Sequence, residues 1–279
     1  MIATSTVILL VVQILILLTT PLVFFAILRF RKLTNYAPVL AGIAVYFVIF
    51  PLEAVVRGFL FSEDNAMSSV TADNPLFCVI FTGLVALLFG EFIRFIIFRF
   101  VLKESNRKHD GFAFGAGFVL VEMGVRSFGG AFVPAMYAGL INESGPEAFI
   151  ESIEDHEAAA DVVKVMQSIS NPAIILDIIN GLLEIMAVIG LSMICFYAVK
   201  KKSYKLIGLA CILDFLYNIP RALVSCEAIT SGTVITVMYL TFTLLIVYAA
   251  ARFFKDFDKS AVYPDIKTFF GIGGRRLEK

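Results

Sequence analysis

Seven long apolar stretches dominate the chain, at roughly 4–28, 37–60, 75–101, 111–140, 173–199, 205–225 and 232–252. A helix rises about 1.5 Å per residue, so each stretch can cross a hydrocarbon layer about 30 Å thick. Backbone groups inside lipid have no water to bond, and a helix satisfies them within one segment. The reading is therefore all-α: a polytopic transmembrane helical bundle of about seven spans. The balance of residues agrees, with 59% hydrophobic and 16% charged against about 25% charged in a soluble domain. Mean hydropathy is +0.89. A soluble function is excluded on this ground. Lys+Arg and Asp+Glu are equal at 23 each, which points to no nucleic-acid partner. The lipid bilayer is the implied partner, and a multi-pass plasma-membrane protein the expectation.

The charges sort by connection. Arg29, Arg31 and Lys32 follow the first stretch; Lys103, Arg107 and Lys108 the third; Lys200, Lys201, Lys202 and Lys205 the fifth; Arg252 and Lys255 the seventh. The alternate connections are acidic: Glu63, Asp64 and Asp73, then the segment from Glu143 to Asp161. The positive-inside rule puts the amino terminus outside and the carboxyl terminus in the cytosol. The first stretch lacks a basic leader and a small-residue cleavage site, so it reads as a retained span. A transmembrane domain is expected over 1–253, its site-bearing spans at about 75–225, followed by a cytosolic tail over 254–279. Within 141–172, Phe149, Ile150, Ile153, Val162, Val163, Met166 and Ile169 recur near helical spacing, which fits an amphipathic helix over the outer mouth or an acidic loop with one apolar face. The Phe253, Phe254 and Phe257 run reads as an anchor at the inner interface. Cys78, Cys195, Cys211 and Cys226 lack metal-ligand spacing and read as small core residues. Both histidines, His109 and His156, fall in polar connections, so no histidine metal site is expected within the membrane, and no cofactor.

Acids lie inside the apolar stretches: Glu91, Glu122, Glu184 and Asp214. An ionisable group at mid-bilayer costs about 2.5–3.5 kcal/mol even on the lenient insertion scale, and such groups are functional candidates by default. Three acid–arginine pairs occur at helical-neighbour spacing: Glu53 with Arg57, Glu91 with Arg94, and Glu122 with Arg126. The first, beside Pro51, reads as structural, in a helix that the proline kinks. Asp177, Asn180 and Glu184 share one helical face, as do Asp214 and Asn218. The fourth stretch carries Gly111, Gly115, Gly117, Gly124, Gly129 and Gly130. Small residues let helices approach closely in lipid, and they also leave room for a cavity beside Glu122.

Gly90-Glu91-Phe92-Ile93-Arg94 resembles a decayed Glu-Glu-x-x-Arg motif of the glutamic-type intramembrane proteases: the YhfC-like and PrsW-like families and the wider CAAX-protease and bacteriocin-processing clan. Phe118 to Glu122 is similar to the second motif, an aromatic or histidine followed four positions on by glutamate. Asp214 to Asn218 occupies the place of the third, histidine followed by Asp or Asn. Ser192 to Lys202 resembles the end of the fifth span in YhfC-like proteins. The resemblance implies a site built from Glu91, Arg94, Glu122 and Asp214, with Phe118, Glu184 and Asn218 as binding residues. The departures lie at Gly90, where the clan has the water-activating glutamate, at Phe118, where YhfC-like proteins place histidine and PrsW-like ones also have Phe, and at Val188 and Asp214, the histidine positions of the fifth and sixth spans. Peptide hydrolysis needs a base and an oxyanion donor. The implied reading is a catalytically degenerate member that binds a membrane-embedded peptide, lipid or protein. An active endopeptidase with Glu91 as base and Glu122 as second acid is the first alternative. A small transporter or proton pathway is the second.

Overall fold

In the computed structural model, residues 1–61 and 74–260 are described. Among the described residues the chain forms seven helices long and apolar enough to span a membrane. They are α1 (Thr4–Phe30), α2 (Tyr36–Phe61), α3 (Pro75–Val101), α4 (Asp110–Ser144), α7 (Asn171–Lys200), α8 (Tyr204–Ser225) and α9 (Gly232–Ser260). Two short helices, α5 (Pro146–Glu151) and α6 (His156–Ser168), fill the connection between α4 and α7. The protein is a multi-pass membrane protein with an all-helical fold. The acidic positions Glu63, Asp64 and Asp73 lie outside the described residues, as do Pro264 and Gly271–Gly274. α9 continues through Phe254 to Ser260, so the tail expected from residue 254 begins as helix. Phe253 stacks on Tyr197 and Phe254 sits against His109, both half-buried against the bundle; the Phe257 side chain lies outside the described residues.

Local chemistry marks the helix starts. Asn74 accepts from the Leu76 N–H ahead of Pro75, and Asp155 accepts from the Ala158 N–H, each satisfying a donor that the first helical turn leaves free. At the basic end of the bundle, Thr34 donates to Asp110 (2.9 Å) and Lys200 donates to the Lys103 carbonyl (2.9 Å). These bonds tie together the ends of α1, α3, α4 and α7.

α7 is the most buried span, and it packs on α4, α9, α1 and α8. α2 packs on α4, while α3 packs on α8. The glycines of α4 serve these crossings. A Cβ on Gly115 would come within 2.8 Å of Ile189 Cα in α7, one on Gly111 within 2.8 Å of Phe196 Cβ, and one on Gly117 would strike the Val39 carbonyl of α2. Gly42 answers from α2, where a Cβ would collide with the Phe114 backbone. Gly129 and Gly130 meet nothing within 4 Å. The glycine run is thus a packing device at its first half, where it draws α2 and α7 in on either side of Phe118. Phe98, Phe114 and Phe196 meet edge to face in the core.

α6 is amphipathic. It buries Ala159, Val163 and Met166 with Phe149, Ile2, Ala138 and Ile141. It covers the ends of α1 and α4 at the acidic end, and none of its residues lines the polar cavity in the bundle interior. α2 runs as one helix through Pro51.

Candidate functional site

Two adjoining cavities, about 70 and 180 Å³, open inside the bundle and share Ile49, Glu53, Phe118, Glu122 and Arg221 in their walls. The smaller, deeper one is lined also by Gly90, Arg94, Glu184, Val188, Asp214, Tyr217 and Asn218. The larger is lined by Tyr46, Phe50 and Ala54 of α2. Phe50, Ala54 and Arg221 are exposed, so the cavity reaches the side of the bundle between α2 and α8. Of the residues expected to form a site, Arg94, Glu122, Asp214, Phe118, Glu184 and Asn218 come together on this one cavity. Gly90, Phe118, Val188 and Asp214, the four departures from the motifs, all lie on its wall as well.

Glu91 stands apart. It is 2% exposed and not part of the lining; its Oε1 accepts from Arg94 Nη1 at 2.5 Å. The reason is local. Leu88–Phe92 forms a π turn, with hydrogen bonds reaching five residues back. Such turns insert one residue into a helix and rotate the residues beyond it. Gly90 and Arg94 line the cavity, whereas the Glu91 carboxylate holds the guanidinium of Arg94. Glu91, the base of the active-endopeptidase alternative, is held by Arg94 through one carboxylate oxygen and is not among the residues lining the cavity.

Gly90 and Asp214 confront each other. A Cβ on Gly90 would lie 2.7 Å from Asp214 Oδ2 and 3.6 Å from Arg94 Nη1. The Asp214 carboxylate occupies the room that a side chain at 90 would need. Asn218, one turn on, donates to the Asp214 carbonyl at 2.9 Å and to Oδ1 at 3.3 Å. Phe118 lies beneath Arg94, its ring centre 5.7 Å from the guanidinium carbon, and packs edge to face on Tyr46. A cation over an aromatic face is favoured by the ring quadrupole.

The expected Glu122–Arg126 pair does not form. Arg126 instead bonds Glu184 and Asp177 of α7, and Gln13 of α1 donates to Asp177 at 2.5 Å. Positions four apart share a helix face, but a packed neighbouring helix offers better-placed carboxylates than Glu122. The Oε2 of Glu122 is buried without a hydrogen-bond partner, as are Glu91 Oε2, Asp214 Oδ2 and Asn180 Oδ1. Unpaired acceptors of this kind are rare in folded proteins and mark places where a ligand or water completes the bonding. Glu53, which the sequence pairs with Arg57 in a structural role, lines both cavities, as does Arg221. The signal for Arg221 is an arginine one turn beyond Asn218 on the face of Asp214; for Glu53 it is an acid in an apolar run.

No solved structure matches the chain. It is 26% identical over 184 residues to "Uncharacterized membrane protein YhfC" of Bacillus subtilis (strain 168), covering 66% of this chain and 71% of that protein. The sequence pattern of the YhfC intramembrane metalloprotease family matches residues 14–240, from within α1 to within α9, and so takes in every wall of the cavity. With that span of the fold matched, the chain belongs to the YhfC intramembrane metalloprotease family.

Proposed function

We propose that the protein is a non-hydrolytic member of its family that binds a membrane-embedded peptide segment through the Glu122–Asp214 cavity. One observation carries this: the cavity keeps its acids and guanidinium groups, while the wall position where glutamic-type relatives have their base is Gly90, closed off by Asp214. The kinship to PrsW-like and CAAX-type proteases rests on the short motifs around Glu91, Glu122 and Asp214, and is part of this proposal.

The family's name implies a metal, and the residues present do not fit one. Among the described residues, no three of His, Cys, Asp and Glu are placed to hold a metal ion. His109 sits against Phe254 at the basic end, and His156 Nδ1 pairs with the Ile150 carbonyl at 2.9 Å. In the cavity, a Cβ on Gly90 would lie 3.6 Å from Arg94 Nη1, just beyond Asp214 Oδ2, so a fixed guanidinium already stands beside the acids where an ion would have to sit.

The lining suits a donor-rich or cationic ligand. Glu53, Glu122, Glu184 and Asp214 outnumber Arg94 and Arg221, and Glu184 is engaged by Arg126. Glu122 Oε2 and Asp214 Oδ2 have acceptor capacity left. The opening between α2 and α8 gives access from the lipid side, where a peptide segment would arrive.

The test is reconstitution in vesicles with a labelled apolar helical peptide bearing one central lysine, and its norleucine counterpart. Energy transfer reports binding and mass spectrometry reports cleavage. The expected result is lysine-dependent binding with the peptide intact, weakened about tenfold or more by Glu122→Gln combined with Asp214→Asn, the scale of one lost charge-assisted bond. Cleavage abolished by Glu122→Gln would make the protein an endopeptidase with Glu122 as base. Equal binding of both peptides would remove the cavity from the account.

A further inference from the structure

A cavity of about 520 Å³ lies apart from the acids, at the basic end, between α1, α4, α7 and α9. Its wall is apolar along its length: Phe24 and Leu28 of α1, Phe112 of α4, Met186 to Met193 of α7, and Val247 to Ala251 of α9. Polar side chains enter only at one end, His109 and Lys255. There Phe254 divides the groove from a small adjoining pocket lined by Lys108. The Lys108 ammonium lies 4.9 Å from the Phe254 ring centre, and the His109 ring centre 5.2 Å from it on an edge-to-face approach. The groove therefore has an apolar barrel and a basic, aromatic cap.

We propose that this groove is a binding site for an anionic phospholipid of the leaflet at the basic end, with an acyl chain along the groove and the headgroup phosphate at Lys108, His109 and Lys255. Three features select that occupant. The lining from Val247 to Lys255 covers about 12 Å of helix, close to one leaflet's share of a hydrocarbon core about 30 Å thick. The cations stand where the helices leave the apolar stretches, at headgroup depth, and nowhere else along the groove. An extended peptide in the same slot would leave its backbone N–H and C=O groups unpaired, because the apolar wall supplies no partners.

The chain contains no tryptophan, so one introduced indole is a clean reporter. Ile27, exposed and in the groove wall, is replaced in the variant Ile27→Trp; Leu22, exposed on the same helix and outside the groove, in the variant Leu22→Trp. Each full-length protein is reconstituted in phosphatidylcholine vesicles containing either brominated phosphatidylglycerol or brominated phosphatidylcholine, and quenching is compared. The expected result is preferential quenching of Ile27→Trp by the anionic lipid, about fivefold for each lysine in contact, with equal quenching of Leu22→Trp by the two lipids. Adding Lys108→Gln and Lys255→Gln to Ile27→Trp should bring the two lipids level. Equal quenching at Ile27→Trp overturns the proposal. So does a preference that survives loss of both lysines, or no quenching by either lipid, which would mean that protein covers the groove.

Discussion

Arg94 joins the two halves of the site. It is 4% exposed, bonds Glu91 on one side, and faces Asp214, Gly90 and the Phe118 ring on the other. Removing one member of a buried ion pair leaves the other charge uncompensated and costs about 3–5 kcal/mol, while replacing both with apolar groups of similar volume is close to neutral. Arg94→Met should therefore lower the thermal unfolding midpoint in detergent sharply, and Glu91→Gln combined with Arg94→Met should recover most of the loss. A double variant as unstable as Arg94→Met alone would show that Arg94 matters through Phe118 and Asp214 instead. Gly90→Glu should be destabilising in the wild-type background, because its Cβ would meet Asp214 Oδ2 at 2.7 Å and its carboxylate would add a like charge. Asp214→Asn should relieve part of that penalty, measured as non-additivity of the two midpoint shifts. At this scale the sequence is legible within a helix and blind between helices. The Glu91–Arg94 pair can be read because its members stand three positions apart on one helix. A spacing of four assigns Arg126 to Glu122, although its partners Glu184 and Asp177 lie on another helix. Distance along α2 pairs Glu53 with Arg57 but says nothing about a cavity shared with α4 and α8, which Glu53 also lines; the Arg57 side chain lies outside the described residues.

Whole elements are easier to read, because length and apolar continuity are properties of one segment. All seven spans lie within a few residues of their expected limits, apart from the helical extension of α9 to Ser260, and the apolar positions Phe149, Val163 and Met166 do form one buried cluster. The π turns at Leu88–Phe92, Ile97–Val101 and Phe128–Phe132 leave no mark in the pattern, since one inserted residue does not interrupt an apolar run. Glycine is ambiguous for a related reason: composition counts glycines but does not show what each one faces. The crossing of α2 and α4 gives this a test. Gly117→Val should weaken the fold strongly, because its Cβ would strike the backbone of Val39, which a side-chain rotation cannot move aside. Gly139→Ala, in the helical part of α4 with nothing within 4 Å, should be neutral or stabilising by up to about 1 kcal/mol, the helix preference of alanine over glycine. The two midpoints, measured in the same detergent, check the contrast. Similar losses at both positions would mean that α4 is sensitive to any added bulk.

At the scale of the molecule, charge and geometry point the same way. The basic connections gather at one end, with Lys200 tied to the Lys103 carbonyl and Lys108 over Phe254. The acidic segment with α5 and α6 closes the other end. Lysine and arginine near span ends resist translocation, so the basic end should face the cytosol. The apolar groove would then open to the cytosolic leaflet, the anionic one, whose surface potential attracts basic residues. The acid-lined cavity sits between the two ends, joined toward the acidic end by the Glu184–Arg126–Asp177–Gln13 chain. Orientation can be read with single added cysteines at exposed sites. Glu157→Cys, in α6 at the acidic end, should react with an impermeant maleimide in intact cells. Lys202→Cys, between α7 and α8, should react only after the membrane is opened. The wild-type protein serves as the background control for its own thiols, of which Cys78 and Cys195 are buried. The reverse pattern would invert the bundle, and the groove would then face the leaflet with less anionic lipid. The cavity would still meet lipid laterally between α2 and α8, because that opening depends on how the helices pack and not on which end is outside.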